Sequence, residues 1–177
     1  SGLASAARFR PSMTRHSAHN HTTTEIRAPP TLSKGLTMAF VHLHNHTEYS
    51  LLDGLTHIKD MVRRAAELDM PAVAVTDHGV MSGMVELSDA CDAVEKETGK
   101  RVKPIFGCEV YFTPDESLRK DVKPKLYHLL LLAKNNEGYH NLLKLVSESH
   151  VDNFYYKPRT TFSMLQKYGH GIIGSSA

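Results

Sequence analysis

Three histidines, His42, His44 and His46, fall at alternate positions in "FVHLHNHTEYSLLDG", with Asp53 seven residues after the last. An extended chain turns successive side chains to opposite faces, so His44 and His46 point the same way. Two imidazoles at that spacing offer a divalent metal two nitrogens from one rigid support. His42 shares the parity, and whether it joins them stays open. Further donors recur downstream: His78 in "TDH", Glu109 in "GCE", His128 in "YHLL" and His150 in "SHVD". Several imidazoles with two carboxylates suit zinc, manganese or iron in a cluster of two or three ions. Such a cluster activates water and clamps a phosphate during in-line displacement. Lys157 and Arg159 of "YYKPR" are candidates to hold the phosphate, the guanidinium by bidentate contact.

These donors need strands and helices to carry them. Ala39 to Thr47 reads as a first strand, and Thr56 as the cap of a helix through Leu68, with Ile58, Met61, Val62 and Ala65 at helical spacing. A short buried strand starts at Pro71, and a helix runs from Ser82 to Thr98. "KPIFGCEVYF" is another strand, followed by a polar loop through Lys125. "YHLLLLA" is an apolar strand of the kind covered on both faces. A helix follows from Asn135 to Ser149, with His150 after it opening a loop. Thr161 to Tyr168 is a last helix, and "GIIGSSA" starts a further strand. Repeated β-α units predict an α/β fold with a largely parallel sheet, open or closed into a barrel. In such folds active sites gather at strand ends. His78 at the end of its strand and Asp53 in the loop after the first strand suit that rule, while Glu109 lies within the next strand. His128, at a strand start, suits it only if its strand begins earlier or runs antiparallel. Cys108, preceding Glu109 on one strand, faces the opposite side and reads as core.

Composition sets outer bounds. A chain of 177 residues, 41% hydrophobic and 23% charged, holds one domain or a piece of one. No apolar run approaches the length that spans a bilayer, so no membrane association is expected. Two cysteines make no disulfide framework, which favours a reducing, cytoplasmic compartment. The net charge of +2 is uneven. Arg8, Arg10, Arg15, Arg27 and Lys34 oppose Glu25 alone in the first 37 residues, and the remainder is slightly acidic. That remainder is not a basic nucleic-acid module by charge, so any grip on a polyanion must be local or metal-mediated. Residues 1–37 read as a disordered leader or extension, too polar to bury a core. A tag remnant, an over-extended gene start or a tail accounts for them better than an organelle transit peptide. Met38 fits a natural start, and residues 38–177 form the second region.

The motifs "HLHNHTEYSLLDG", "AVTDHG", "IFGCEVY", "YHLLLLAKN" and "SHVDNFYYKPR" together resemble the polymerase and histidinol phosphatase (PHP) domain. The likeness runs from Met38 to the last residue and is strongest to the N-terminal PHP domain of C-family replicative DNA polymerases of bacteria. It implies a distorted (β/α)7 barrel with up to three metals at one end. By motif, its ligands fall on His44, His46, Asp53, His78, Glu109, His128 and His150. Glu109 would bridge two ions, and Glu109 and His78 would be catalytic. Asp77 then takes a hydrogen-bonding role beside His78, and His42 becomes a neighbour of the ligands. The family's late Asp/Asn-x-His pair has no counterpart here, so the barrel is expected to be C-terminally truncated. The implied parent is a DNA-directed DNA polymerase with a metal-dependent phosphoesterase domain that would act as a 3′-to-5′ proofreading exonuclease. Its partners would be DNA, deoxynucleotides bound by later polymerase domains, the sliding clamp and other replisome subunits. Two rivals stand beside this reading. One is a stand-alone phosphatase of a small phosphomonoester such as histidinol phosphate. The other is a non-catalytic scaffold that binds a proofreading subunit.

Overall fold

The computed structural model describes residues 40–51 and 53–177. The reading of residues 1–37 as a leader, and of Met38 as a start, lies outside these residues. Four helices and six strands follow in the order α1 (Ile58–Glu67), β1 (Ala72–Val75), α2 (Met84–Thr98), β2 (Lys103–Phe112), β3 (Tyr127–Ala133), α3 (Asn136–Val151), β4 (Phe154–Tyr155), β5 (Lys157–Thr160), α4 (Phe162–Tyr168) and β6 (Ile172–Ser176).

The centre is β2. Its N-terminal half pairs in parallel with β1, its last two residues pair in parallel with β5, and its other edge pairs antiparallel with β3. Antiparallel β6 extends the sheet beyond β3, and β4 forms a hairpin with β5. The sheet is therefore mixed, not largely parallel as the β-α rhythm predicts. No helix separates β2 from β3, so the chain reverses through residues 113–126 and returns antiparallel. The six strands make one open sheet among the described residues.

Strand parity sorts the core. Val73 and Val75 of β1 pack with Ile58 and Val62 of α1 and Leu87 and Val94 of α2. Cys108 and Val110 of β2 and Leu131 of β3 pack with Leu142 and Leu145 of α3 and Met164 of α4. The helices thus cover one face. On the other, Ala74, Ile105, Leu130 and Leu132 form a smaller apolar group. The alternation of "YHLLLLA" places Leu131 on the first face and Leu130 and Leu132 on the second, so β3 is covered on both sides. None of the helices among the described residues is long and apolar enough to cross a membrane.

Residues 40–47 run beside β1 without becoming a regular strand. Ala74 N–H donates to His42 O, and Thr76 N–H donates to Asn45 O. Three residues of the segment oppose two of β1, as in a bulge, and strict alternation is lost between His42 and Asn45. Thr56 does not cap α1, whose N-cap is His57 with no side-chain cap bond. Asn135 caps α3 through Gly138 N–H, and Thr161 caps α4 through Met164 N–H. His150 lies in the last turn of α3 instead of in a loop after it. The stretch after it holds the β4–β5 hairpin, unmarked by alternation because its strands are so short.

Candidate metal centre

Glu109 lies on the sheet face away from the helices, beyond Ile105 in the β2 alternation, and is 3% exposed. Its Oε2 stands 2.7 Å from His44 Nε2 and 2.7 Å from His46 Nε2. Those two nitrogens are 3.1 Å apart. His128 Nδ1 contacts Glu109 Oε1. His78 Nδ1 is 3.6 Å from Oε2. Topology explains the convergence. His78 forms an isolated parallel bridge with Glu109, and His128 sits opposite Tyr111, two residues along β2. The antiparallel course of β3 brings its first residues to the same end of the sheet as the exit of β1. That resolves the position of His128 as a strand-start donor. Burial pushes the Glu109 carboxyl up. The His44 hydrogen bond and the charges of His78 and His128 outweigh it, and the group stays below the usual range.

Asp53 arrives on the turn after the bulged segment. Its Oδ2 is 2.7 Å from His78 Nε2, and its Oδ1 is 3.8 Å from His46 Nδ1. The turn is built around buried Asp77. Thr47 N–H (2.6 Å) and Ser50 Oγ–H (2.8 Å) donate to Asp77 Oδ1, and Thr47 Oγ–H donates to Oδ2 at 2.8 Å. His78 N–H donates to Ser50 Oγ at 3.0 Å, tying the turn to the histidine that Asp53 meets. Gly54 closes the turn. A Cβ there would lie 1.9 Å from Thr47 O, so no other residue fits without moving the backbone.

Three overlapping donor groups result: His44–His46–Glu109, His46–Asp53–His78 and His78–Glu109–His128, each with ligand atoms within 4.8 Å of one another. The residues fit a divalent metal. Imidazole nitrogens and carboxylate oxygens suit zinc, manganese or iron. Tetrahedral zinc ligands at 2.0–2.1 Å from the ion lie about 3.3 Å apart, close to the His44–His46 nitrogen separation. His78 Nδ1 is buried and lacks a hydrogen-bond partner, an atom that wants a ligand.

The cluster opens into a cavity of about 530 Å³ whose walls include Asp53, His78, His128, His150, Tyr111, Tyr156 and Lys157. His150 stands on this wall but outside the three donor groups. Its Nε2 donates to Gly79 O at 2.7 Å, which leaves Nδ1 as its free nitrogen. Lys157 Nζ sits 5.0 Å from the centroid of the Tyr111 ring. Arg159 departs from the expectation of a phosphate contact. It is 1% exposed, and its guanidinium donates to Asn153 O, Arg119 O and Leu118 O, so it braces the 113–126 loop. Parity on β5 turns Lys157 and Arg159 to one face, and only packing buries the second. His42 lines a different cavity, beside Asn45, Thr56 and Arg64, because the bulge turns it away. The aromatic wall of Tyr49, Tyr111, Phe154 and Tyr156 is not marked by any local sequence pattern.

The chain that forms this mixed α/β sheet, with helices on one face and a histidine–carboxylate cluster at one end of its central strands, matches a family by sequence. Residues 42–177 fit the PHP domain, and the chain belongs to that family. Curated relatives of the chain carry the name DNA polymerase III subunit alpha. The Helicobacter pylori (strain 26695) protein is 46% identical over 139 residues, which cover 78% of this chain and 11% of that one. The Deinococcus radiodurans protein is 42% identical over 147 residues, covering 77% and 11%. The chain thus spans about a tenth of the length of these relatives. A crystal structure from Bifidobacterium adolescentis, assigned there as a metal-dependent phosphoesterase, overlaps with a TM-score of 0.42 and 23% identity, covering 63% of this chain and 33% of that one.

Proposed function

We propose that the chain is the N-terminal PHP domain of a bacterial replicative DNA polymerase III alpha subunit, and that it hydrolyses phosphodiester bonds at a 3′ DNA end. The observation that carries this is Glu109, a buried carboxylate met by four imidazoles at the edge of an open cavity. Two or three divalent ions would be held by His44, His46, Asp53, His78, Glu109 and His128, whose donor atoms fall into three overlapping groups. Divalent metals held there would supply Lewis acidity and activate water.

The chain's own residues do the rest. Glu109 presents a carboxylate at neutral pH. Asp53 orients His78 through Nε2 and keeps Nδ1 turned toward Glu109. Lys157 offers the cavity a cation for a phosphate oxygen. His150 is the remaining ligand of the proposed set. Polymerisation, deoxynucleotide binding and clamp and replisome contacts belong, in this reading, to the rest of a longer cytoplasmic protein.

The test is hydrolysis of a 3′-labelled, mispaired primer by the full alpha subunit with Mn²⁺ or Zn²⁺, beside the His44→Ala/His46→Ala double variant. Hydrolysis is expected to drop to background in the variant. Unchanged hydrolysis sinks the assignment. A purified wild-type protein with no bound transition metal and no cleavage would favour the scaffold reading.

A further inference from the structure

The β4–β5 register pairs Phe154 with Pro158 and Tyr155 with Lys157, which leaves Tyr156 alone at the hairpin apex. Its φ is 61°, a left-handed conformation that glycine or asparagine adopts readily and a bulky residue does not. Turn geometry alone would be better served by glycine. Tyr156 is nevertheless 71% exposed, so burial does not compensate for its conformation. Two other exposed apolar side chains, Leu51 and Phe154, line the same cavity mouth. Grouped exposed apolar surface of this kind marks a contact site.

Tyr156 and Lys157 also line a second cavity of about 370 Å³, with Lys123, Pro124 and Leu126, and among the described residues no carboxylate lines it. The hairpin apex therefore stands at the junction of two cavities. One leads to the histidine–carboxylate cluster, and the other is walled by lysines and apolar groups. A planar ring flanked by compact cations matches a chain of planar bases joined by phosphates. Bases in a duplex are stacked on one another and cannot reach the ring.

We propose that Tyr156 and Lys157, with Lys123 beyond them, form a subsite for single-stranded DNA: the Tyr156 ring stacks on a base, and the lysines contact flanking phosphates. The choice of DNA, and the strand's destination at the cluster, rest on the phosphodiesterase reading above.

The test is fluorescence anisotropy of the protein with a labelled oligodeoxythymidylate in EDTA, so that hydrolysis plays no part. Tyr156→Gly and Tyr156→Asn both keep the turn and remove the ring. Each is expected to weaken binding by about 5- to 150-fold, the value of one stacked base. Tyr156→Gly should also match or exceed the wild-type Tm, since it relieves the backbone. Tyr156→Phe should bind nearly as wild type. Lys157→Ala should flatten the salt dependence by about 0.7 in log–log slope. The subsite is overturned by wild-type affinity in both ring-less variants, or by duplex DNA binding as tightly as single-stranded DNA. Single-stranded RNA binding as tightly would overturn the choice of DNA. Ring-dependent binding without cleavage on adding metal would keep the subsite and remove the phosphodiesterase reading. Cleavage with ring-independent binding would do the reverse.

Discussion

Glu109 on β2 and Asp77, two residues past the end of β1, are buried carboxylates joined by a hydrogen bond from Glu109 N–H to Asp77 O. Their surroundings divide their work. Asp77 accepts from the Thr47 N–H and from the Thr47 and Ser50 hydroxyls, so its two oxygens are taken up within a fixed turn. Glu109 faces imidazole nitrogens, which when neutral are themselves half acceptors, so its oxygens invite a cation. Removing the Asp77 carboxylate strands three buried donors at once. Asp77→Ala is expected to destabilise the domain by about 3–5 kcal/mol, read as a lower urea midpoint with an unchanged m-value. A loss under about 1 kcal/mol would show that the turn stands without it. The same variant should bind metal more weakly, because Asp53 rides on that turn.

At the scale of elements, β2 gathers the site because both of its edges are used. His78 comes from the end of β1 on one side and His128 from the start of β3 on the other. The helices stabilise this arrangement from behind, and α3 and α4 are tied by Glu148, which accepts from Lys167 Nζ at 2.7 Å and Tyr168 Oη at 2.6 Å. The Lys167 bond, then the Tyr168 bond, hold the Glu148 carboxyl below its usual range. A depressed folded pKa means stability that is present above the ordinary glutamate value and lost as pH falls through the folded one. The Tm advantage of wild type over Glu148→Gln, measured in chelator, should be constant above about pH 5.5 and shrink below the ordinary value of about 4.3. An advantage that does not vary across this range would remove Glu148 as the α3–α4 tie.

For the molecule as a whole, the donors come from the bulged segment, the following turn, the exit of β1 and strands β2 and β3, so a bound ion would fasten parts far apart in sequence to one another. Ligand held at a hundred times its Kd adds about 2.7 kcal/mol of stability. For a domain of this size that is a Tm rise of roughly 10 °C on adding Mn²⁺ or Zn²⁺, reversed by chelator and absent in His44→Ala/His46→Ala. No rise in the wild type would argue against metal binding altogether.

Much of this was legible locally. The apolar runs of β1 and β3, the periodic faces of α1 to α3 and the parity that separates Cys108 from Glu109 are properties of a few consecutive residues. Residue type and place marked His44, His46, Asp53, His78, Glu109, His128 and His150 as candidate donors, and the resemblance to the PHP family implied them as one set. The fold brings all but His150 into the three donor groups. Tertiary structure decided the rest, because each remaining outcome depends on what lies across space. The antiparallel course of β3 turned a strand-start histidine into a neighbour of Glu109. A one-residue bulge against β1 sent His42 to another cavity. Carbonyls from a distant loop claimed the Arg159 guanidinium. The hairpin apex lifted Tyr156 to the cavity mouth. Periodicity reports which way a side chain leaves its own backbone, and only packing determines what it meets there.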